Sequence, residues 1–195
     1  MDRRSPARQG GLTLVELLFT ISLLATITAM AIPLTSDAVD ELRTANAVRY
    51  LEGRIMNARM EAVKRSAAVA LRFEPAEPDY IYATYVDANG NGVRTADIGR
   101  GVDWLLASAE RLGDKFPGVV FGVQVGVPDL EGSYGSEGVR IGAARILTMT
   151  PMGTATSGTL YVKGRGRQYA VRVLGATGRT RVLRYDTGVQ QWMAR

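Results

Sequence analysis

The first third of the chain is dominated by an apolar run, residues 12–32, whose only charged side chain is Glu16 and which is followed by Pro33. At about 1.5 Å rise per residue, a helix of this length spans roughly 30 Å, the thickness of a bilayer's hydrocarbon core. A helix also satisfies its own backbone hydrogen bonds in lipid. The pattern therefore predicts a transmembrane helix over residues 12–32, preceded by a short polar leader, residues 1–11.

Beyond Pro33 the apolar residues recur every three or four positions, which is typical of an amphipathic helix. We expect this helix to cover residues 33–66 and to continue the apolar run. Gly53 weakens it locally by about 1 kcal/mol relative to alanine. The predicted inner stripe consists of Leu34, Ala38, Leu42, Ala45, Val48, Leu51, Ile55, Ala58 and Ala62.

From residue 67 to residue 195 the helical periodicity ends, and short β-like runs follow, separated by glycine- and proline-rich turns. Strands are predicted at residues 68–73, 80–86, 119–127, 140–148, 159–162, 169–174, 180–185 and 189–193. Residues 101–112 are expected to form a short helical turn or loop, and residues 118–138 a mobile glycine-rich loop. The fold class is therefore α+β, with a long N-terminal helix packed on a C-terminal antiparallel sheet or sandwich.

Glu16 is unusual because a carboxylate inside a membrane segment costs about 2.5–3.5 kcal/mol and needs a partner. A cationic group of another subunit, such as a free α-amino group, is one candidate; cleavage after Gly11 would create such a group at Leu12. Three simpler interpretations remain open. They are a secretory signal peptide cut near residues 29–31, a plain membrane anchor, and a buried core helix.

The basic leader, with Arg3, Arg4 and Arg8, predicts that the N-terminus stays in the cytoplasm and that the C-terminal domain faces outward. The chain has no cysteine and no histidine, which excludes disulfides, thiol catalysis, imidazole bases and the usual zinc sites. No phosphate-binding loop or nucleophile motif is present either. We therefore expect neither enzymatic activity nor a cofactor, with calcium as the one exception considered below.

Charge is distributed unevenly along the chain, whose net charge is +5. Residues 12–138 hold 11 basic and 17 acidic side chains, and residues 139–195 hold 10 basic side chains and one acid. The middle is therefore net −6 and the end net +9. Such a gradient favours either head-to-tail matching of subunits or a basic surface for a polyanion, unless the charges are simply solvated.

A possible metal loop lies at residues 87–92, where Asp87, Asn89 and Asn91 alternate ahead of a glycine at the sixth position. This spacing resembles the start of a calcium loop. The bidentate glutamate expected at the twelfth position is absent, since Ile98 stands there. Asn-Gly is also a strong hairpin signal, so a plain turn is the competing interpretation.

Two Gly-Arg clusters lie in the basic end of the chain. One contains Arg165 and Arg167, and the other contains Arg179 and Arg181. In an extended segment residues i and i+2 share a face, so Arg179 and Arg181 should project together and suit phosphate oxygens. Solvated turns are the alternative. The acids Asp103, Glu110 and Asp114 are expected to be solvated, and Trp104 and Trp192 to anchor a core or an interface.

The N-terminal residues carry a family resemblance. Gly11, the segment Leu12-Thr13-Leu14-Val15-Glu16, the apolar helix and Pro33 resemble the type III signal of type IV pilins and type II secretion pseudopilins. The resemblance implies that a prepilin peptidase cuts after Gly11, that Leu12 is N-methylated, and that Glu16 pairs with a neighbouring N-terminus during assembly. It also implies that Pro33 kinks or loosens the helix. Leu12 departs from the phenylalanine that is commoner there.

The C-terminal residues resemble the signature of the GspH/FimT pseudopilins. It comprises Pro151-Met152-Gly153, then Gly158-Thr159-Leu160-Tyr161-Val162, then Leu174-Gly175-Ala176-Thr177-Gly178-Arg179-Thr180-Arg181. The FimT branch uses a Gly-Arg-x-Arg element to bind DNA during natural transformation, which makes Arg179 and Arg181 the leading DNA candidates here and adds Arg165 and Arg167 of the other Gly-Arg cluster to them.

Together these resemblances imply a pilin-like minor pseudopilin of a type II protein secretion system. It would be a single-pass protein of the bacterial inner membrane with a periplasmic domain at residues 67–195. Its partners would be other pseudopilins or pilins in a short filament, prepilin peptidase, the inner membrane and secreted cargo. The alternative is a FimT-like minor type IV pilin that binds DNA.

Overall fold

The computed structural model describes residues 13–194, with the backbone alone for residues 30–37. Gly11 and Leu12 lie outside the described residues, and so does the side chain of Pro33. The chain divides into two units, Met1–Val39 and Asp40–Arg195. The predictions for Gly11, Leu12 and Pro33 therefore stay predictions.

Helix α1 spans Leu14–Arg65, close to the predicted join of residues 12–32 and 33–66. Its first turn is capped by Thr13, whose hydroxyl accepts a hydrogen bond from the amide of Glu16 at 3.3 Å. Its last turn closes at Ser66, which has a positive φ of 50°, while the amide of Ala67 donates to the carbonyl of Ala62. That arrangement is the usual left-handed stop of a helix.

In the first unit, the described side chains of α1 are exposed on every side, including large apolar ones such as Leu14 and Phe19. Within the part of the chain that the structure describes, no helix is long and apolar enough to span a membrane.

In the second unit, α1 buries one stripe against two antiparallel sheets. The buried positions Ala45, Val48, Leu51, Ile55, Ala58 and Ala62 were all in the predicted stripe. Leu42 was also predicted there but is 62% exposed. At that turn the helix meets the sheet with polar side chains instead, since Thr44 is buried and Glu41 pairs with Arg167.

Ten strands follow α1 in the part of the chain that the structure describes. Their bounds are β1 Val69–Ala76, β2 Asp79–Val86, β3 Trp104–Arg111, β4 Val120–Phe121, β5 Val139–Arg140, β6 Ile146–Met149, β7 Gly158–Gly164, β8 Arg167–Leu174, β9 Arg179–Asp186 and β10 Gln191–Ala194, with short helices α2 at Thr95–Gly99 and α3 at Leu112–Lys115.

Every pairing between these strands is antiparallel. Sheet A has the order β3-β2-β1-β6; sheet B has the order β10-β9-β8-β7-β4, and β5 also pairs with β7. The predicted α+β class is confirmed.

Three local predictions were wrong. Residues 101–112 form mainly strand β3, not a helical turn or loop. The predicted strand at residues 119–127 is only Val120–Phe121, because the chain turns at Gly122 and Gly126, which both have positive φ. The predicted strand at 140–148 is split into β5 and β6 by a turn that contains Gly142 and Arg145, each with φ of 50°.

The glycine-rich segment 122–138 packs over the outer face of sheet B, the face turned away from α1. Val123 and Val127 join Tyr161 and Tyr185 in a second small core there. The indole N–H of Trp192 donates to the carbonyl of Pro128 at 3.0 Å. Trp192 is thus a core anchor, as predicted, and the segment is held to the sheet by its own apolar residues.

Candidate functional site

Glu16 lies in the first turn of α1, where the helix dipole favours a negative charge. Its side chain is exposed, and it forms no ion pair with any side chain that the structure describes. Nothing among the described side chains of one chain therefore neutralises this acid. A partner for Glu16 has to come from outside them.

The candidate calcium loop adopts a turn held by its own carboxylate. Asp87 is buried, and its two oxygens accept hydrogen bonds from the amides of Asn89, Gly90 and Gly92 at 2.7–3.2 Å. Asn89 caps the amide of Asn91 in the same way. The side-chain oxygens of Asp87 and Asn89, two of the three candidates for metal coordination, therefore already accept backbone N–H groups.

Two further acids stabilise this loop through hydrogen bonds. Asp103 accepts hydrogen bonds from the amides of Ala88 and Arg94, and Asp97 accepts them from the side chains of Asn91 and Arg100. The hydrogen bonds from Arg100 and Asn91 lower the pKa of Asp97. No group of three or more acids able to hold a metal is found among the described residues. Asp103 is buried, which contradicts its predicted solvation, because it ties two ends of the loop together.

The arginines of the β7–β8 turn are paired with acids of α1. Arg167 lies 2.6 Å from Glu41, and Arg165 lies 3.9 Å from Asp40. Glu41 is also 3.7 Å from Arg184 of β9. Arg167 is thus tied to the helix by a close ion pair, whereas Arg165, whose side chain is 84% exposed, makes only a long one.

Arg179 and Arg181 are in a different situation. Both are exposed at the start of β9, and neither forms an ion pair with a described residue. They share the outer face of sheet B, as the i, i+2 spacing predicted. Arg181 stands directly opposite Arg172 of β8, a residue that sequence reasoning missed. Like charges placed opposite each other on a sheet destabilise it, and Glu131 lies 3.6 Å from Arg172 at this end of the face, which leaves Arg179 and Arg181 without an acid.

The glycines of the C-terminal signature are positions of close packing. A Cβ at Gly178 would meet the carbonyl oxygen of Gly153 at 2.6 Å, and Arg59 of α1 lies beside both glycines. A Cβ at Gly158 would meet Ile141 at 2.6 Å. These residues therefore hold the hairpin that carries Arg179 and Arg181 against the helix.

A cluster around Glu110 joins β3 to α1. Glu110 accepts a hydrogen bond from the Tyr50 hydroxyl at 2.7 Å and lies 2.8 Å from Arg54 and 2.9 Å from Lys115. Burial acts to raise the pKa of Glu110, but the hydrogen bonds from Tyr50 and Lys115 and the charge of Arg54 outweigh it and lower the pKa. Glu110 is thus a structural acid, which contradicts its predicted solvation.

Two comparisons with known proteins bear on the N-terminus and on part of the chain. Residues 6–32 match the prokaryotic N-terminal methylation motif. The motif covers only the N-terminus, where it points to membrane anchoring, and a pilin-like relative matches part of the chain.

That relative is the pilin-like protein PilA1 of Thermus thermophilus, which is 37% identical over 82 residues, 42% of this chain and 50% of that protein. The chain thus spans about half the length of this curated relative. No solved structure matches the chain. Neither match singles out the GspH/FimT branch.

Proposed function

We propose that this chain is a minor pseudopilin of a type II secretion system, cleaved by prepilin peptidase after Gly11 and methylated at Leu12. The observation that carries the proposal is the methylation motif at residues 6–32, which includes the start of α1. The second half of α1 packs on the sheets. The subunit is inserted in the bacterial inner membrane through residues 12–32 and faces the periplasm with its sheets.

In this proposal Glu16 guides assembly, and residues 12–32 move from lipid into the core of a short filament. The exposed apolar side chains of the N-terminal unit support this, because they find no cover within the described chain. The sheets contact neighbouring pseudopilins and secreted cargo. The absence of a partner for Glu16 among the described side chains is the chemical reason for expecting one on another subunit.

Mass spectrometry of the N-terminus of the native protein tests the processing step. We expect a mature chain that begins at Leu12 and carries one methyl group. A chain that begins at Met1 or Ile32 would contradict the proposal. In a second arm, Glu16→Ala should keep the protein in the membrane fraction but remove it from filaments isolated from lysed cells, whereas Glu16→Asp should retain part of its incorporation.

A second candidate function is DNA binding by a FimT-like minor pilin. It is supported by Arg179 and Arg181, which are exposed and lack ion pairs among the described residues; Arg172, which lies 3.6 Å from Glu131, stands opposite Arg181. A row of arginines on one sheet face suits a phosphate backbone. We leave Arg165 and Arg167 out of this site because acids of α1 pair with them.

Gel-shift titration of duplex DNA with the full chain in detergent, repeated at several salt concentrations, tests this candidate. Replacing Arg179 and Arg181 by alanine should weaken binding and lower the salt slope by about 0.9 for each phosphate that is no longer neutralised. The matched control replaces Arg165 and Arg167 by alanine and should change binding little. Equal effects of the two double variants would show that net charge, not this site, governs binding.

A further inference from the structure

The solvent side of α1 carries a second, largely apolar stripe, opposite the buried one. We call this set the outward stripe, and its members lie three or four residues apart, the spacing of a helix-packing seam. Every one is exposed, among them Met60 at 61% and Val63 at 55%. Met56, Met60 and Val63 line a cleft of about 420 Å³ with Arg59 and Lys64. The outward stripe consists of Leu42, Asn46, Arg49, Gly53, Met56, Met60 and Val63.

Arg49 restricts which helix can pack on the outward stripe. It is exposed and forms no ion pair or hydrogen bond with any described residue. Gly53, one turn further on, has nothing within 4 Å of the position of a Cβ, so another helix can approach closely there. Two copies packed in the same register would place Arg49 against Arg49, which like-charge repulsion disfavours. The stripe therefore fits a helix that offers an acid opposite Arg49 and a small residue opposite Gly53.

The N-terminal unit of the same chain has these features. Its apolar side chains are exposed, for example Leu23 at 52% and Ile27 at 60%, and Glu16, the single acid among its described side chains, has no partner there. Residues 16, 20, 23 and 27 repeat the 4-3-4 spacing of residues 49, 53, 56 and 60. The two segments of α1 thus share one spacing and carry one unpaired charge each at these positions, of opposite sign.

We propose that the outward stripe of one copy binds the segment 14–29 of a second copy, parallel to it and offset by 33 positions. In this register Glu16 of the second copy lies opposite Arg49, and Thr20 lies opposite Gly53. Leu23 and Ile27 then cover Met56 and Met60. Charge, small size and apolar character match at all four positions, and the apolar cleft on α1 receives an apolar occupant.

This inference rests on the proposed function, because assembly is what brings the N-terminal segment of one subunit beside the second half of α1 in another. It goes beyond that function in giving Glu16 a second cation, Arg49, besides a neighbouring N-terminus. It also explains why the solvent face of α1, which covers no core of its own, carries apolar residues.

The chain has no cysteine, so any disulfide between two copies must involve the cysteines introduced for the experiment. Two full-length copies with tags of different size are co-expressed in cells that assemble the protein. One copy carries Ile27→Cys and the other carries Met60→Cys. Mild oxidation of the filament fraction isolated from lysed cells should give a disulfide dimer of mixed size. The control replaces Met60→Cys with Thr187→Cys, an exposed position in the β9–β10 turn, and should give none.

A charge variant then tests the register. Adding Arg49→Glu to the Met60→Cys copy should reduce the mixed dimer about tenfold, a difference of about 1.4 kcal/mol, whereas Arg49→Lys should retain most of it. Equal dimer yields with Arg49→Glu and the parent would overturn the pairing of Glu16 with Arg49. If Met60→Cys blocks incorporation, the pair Leu23→Cys and Met56→Cys replaces it.

The remaining outcomes separate the inference from the proposed function. If both cysteine pairs give no mixed dimer while the wild-type chain still sediments with filaments, the inference is wrong and the proposed function stands. If the wild-type chain enters no filament and is not cleaved after Gly11, the proposed function is wrong and the inference falls with it.

Discussion

Asp79 shows how one side chain can hold a turn and still lower the stability of the fold at neutral pH. It lies buried at the start of β2 and accepts the amide of Phe121 at 2.7 Å, while its second oxygen finds no partner among the described residues. Burial raises the pKa of Asp79, and hydrogen bonds from the Tyr80 and Phe121 amides offset this only in part. The carboxylate is kept for the acceptor it provides, not for its charge.

We therefore expect Asp79→Asn to be more stable than the parent at pH 7. Because the folded pKa lies above the unfolded one, the parent gains stability as the pH falls through the folded pKa. The advantage of the asparagine variant should accordingly shrink toward acid pH, where Asp79 is itself protonated. Thermal unfolding of the full chain from pH 4 to pH 8 measures this. Asp79→Ala, which loses the acceptor, should be destabilised at every pH; a pH-independent gap for Asp79→Asn would contradict the assignment.

At the scale of elements, the contact between α1 and the β7–β8 hairpin depends on the absence of a side chain at Gly164. A Cβ there would lie 2.0 Å from the hydroxyl oxygen of Thr44, which points from the helix toward the sheet. The helix and the strand can approach this closely only if residue 164 is glycine. Gly53 is different, since a Cβ there meets nothing within 4 Å.

Two glycine-to-alanine variants should therefore change stability in opposite directions. Gly164→Ala should destabilise the fold by about 1–3 kcal/mol, because an extra methyl group is forced into a packed contact. Gly53→Ala should stabilise it by about 1 kcal/mol, because alanine favours the helix. Denaturant unfolding of the full chain compares them. Destabilisation by both variants would show that Gly53 is also packed, contrary to its open surroundings.

Sequence periodicity predicted the elements that have one buried face and missed those that have none. The end of α1 fell within one residue of prediction, and β7, β8 and β9 were predicted at the right places but two or three residues too short. Strand β3 was missed because it is an edge strand whose side chains are all exposed or half-buried, so it shows no alternation. The pairing of Arg167 with Glu41 joins residues 126 positions apart and leaves no local signal.

At the scale of the whole molecule, several acidic side chains lie in the interior, whereas unpaired basic side chains lie on the surface. Five acids of the net-negative middle section are buried in the fold, namely Asp79, Asp87, Asp97, Asp103 and Asp129. Arg49, Arg179 and Arg181 stand exposed without ion pairs among the described residues. The surface is therefore more basic than the net charge of +5 suggests, which fits contacts to acidic subunits or to a polyanion.

Because some of these acids are held in their charged form by their surroundings, the stability of the fold depends on pH in the acid range. The pKa of Asp129 is raised by burial but lowered more by the amides of Ser133 and Glu131 and by Arg140, and the pKa of Glu110 is lowered in a similar way. Groups with lowered folded pKa values contribute stability above their unfolded pKa and lose it as the pH falls through the folded one. The fold should therefore lose stability between about pH 5 and pH 2.

Glu110→Gln tests whether the charge of Glu110 contributes to the loss of stability at acid pH. The variant keeps an acceptor for Tyr50 but leaves Arg54 and Lys115 without their carboxylate, so it should be less stable than the parent at pH 7. The gap should close toward acid pH, because the parent then loses the same charge. Glu131→Gln, on an exposed side chain that lies 3.6 Å from Arg172, is the matched control and should leave the acid limb of the unfolding curve unchanged. Parallel curves for Glu110→Gln and the parent would mean that the charge of Glu110 does not hold β3 to α1, leaving the Tyr50 hydrogen bond and packing to do so.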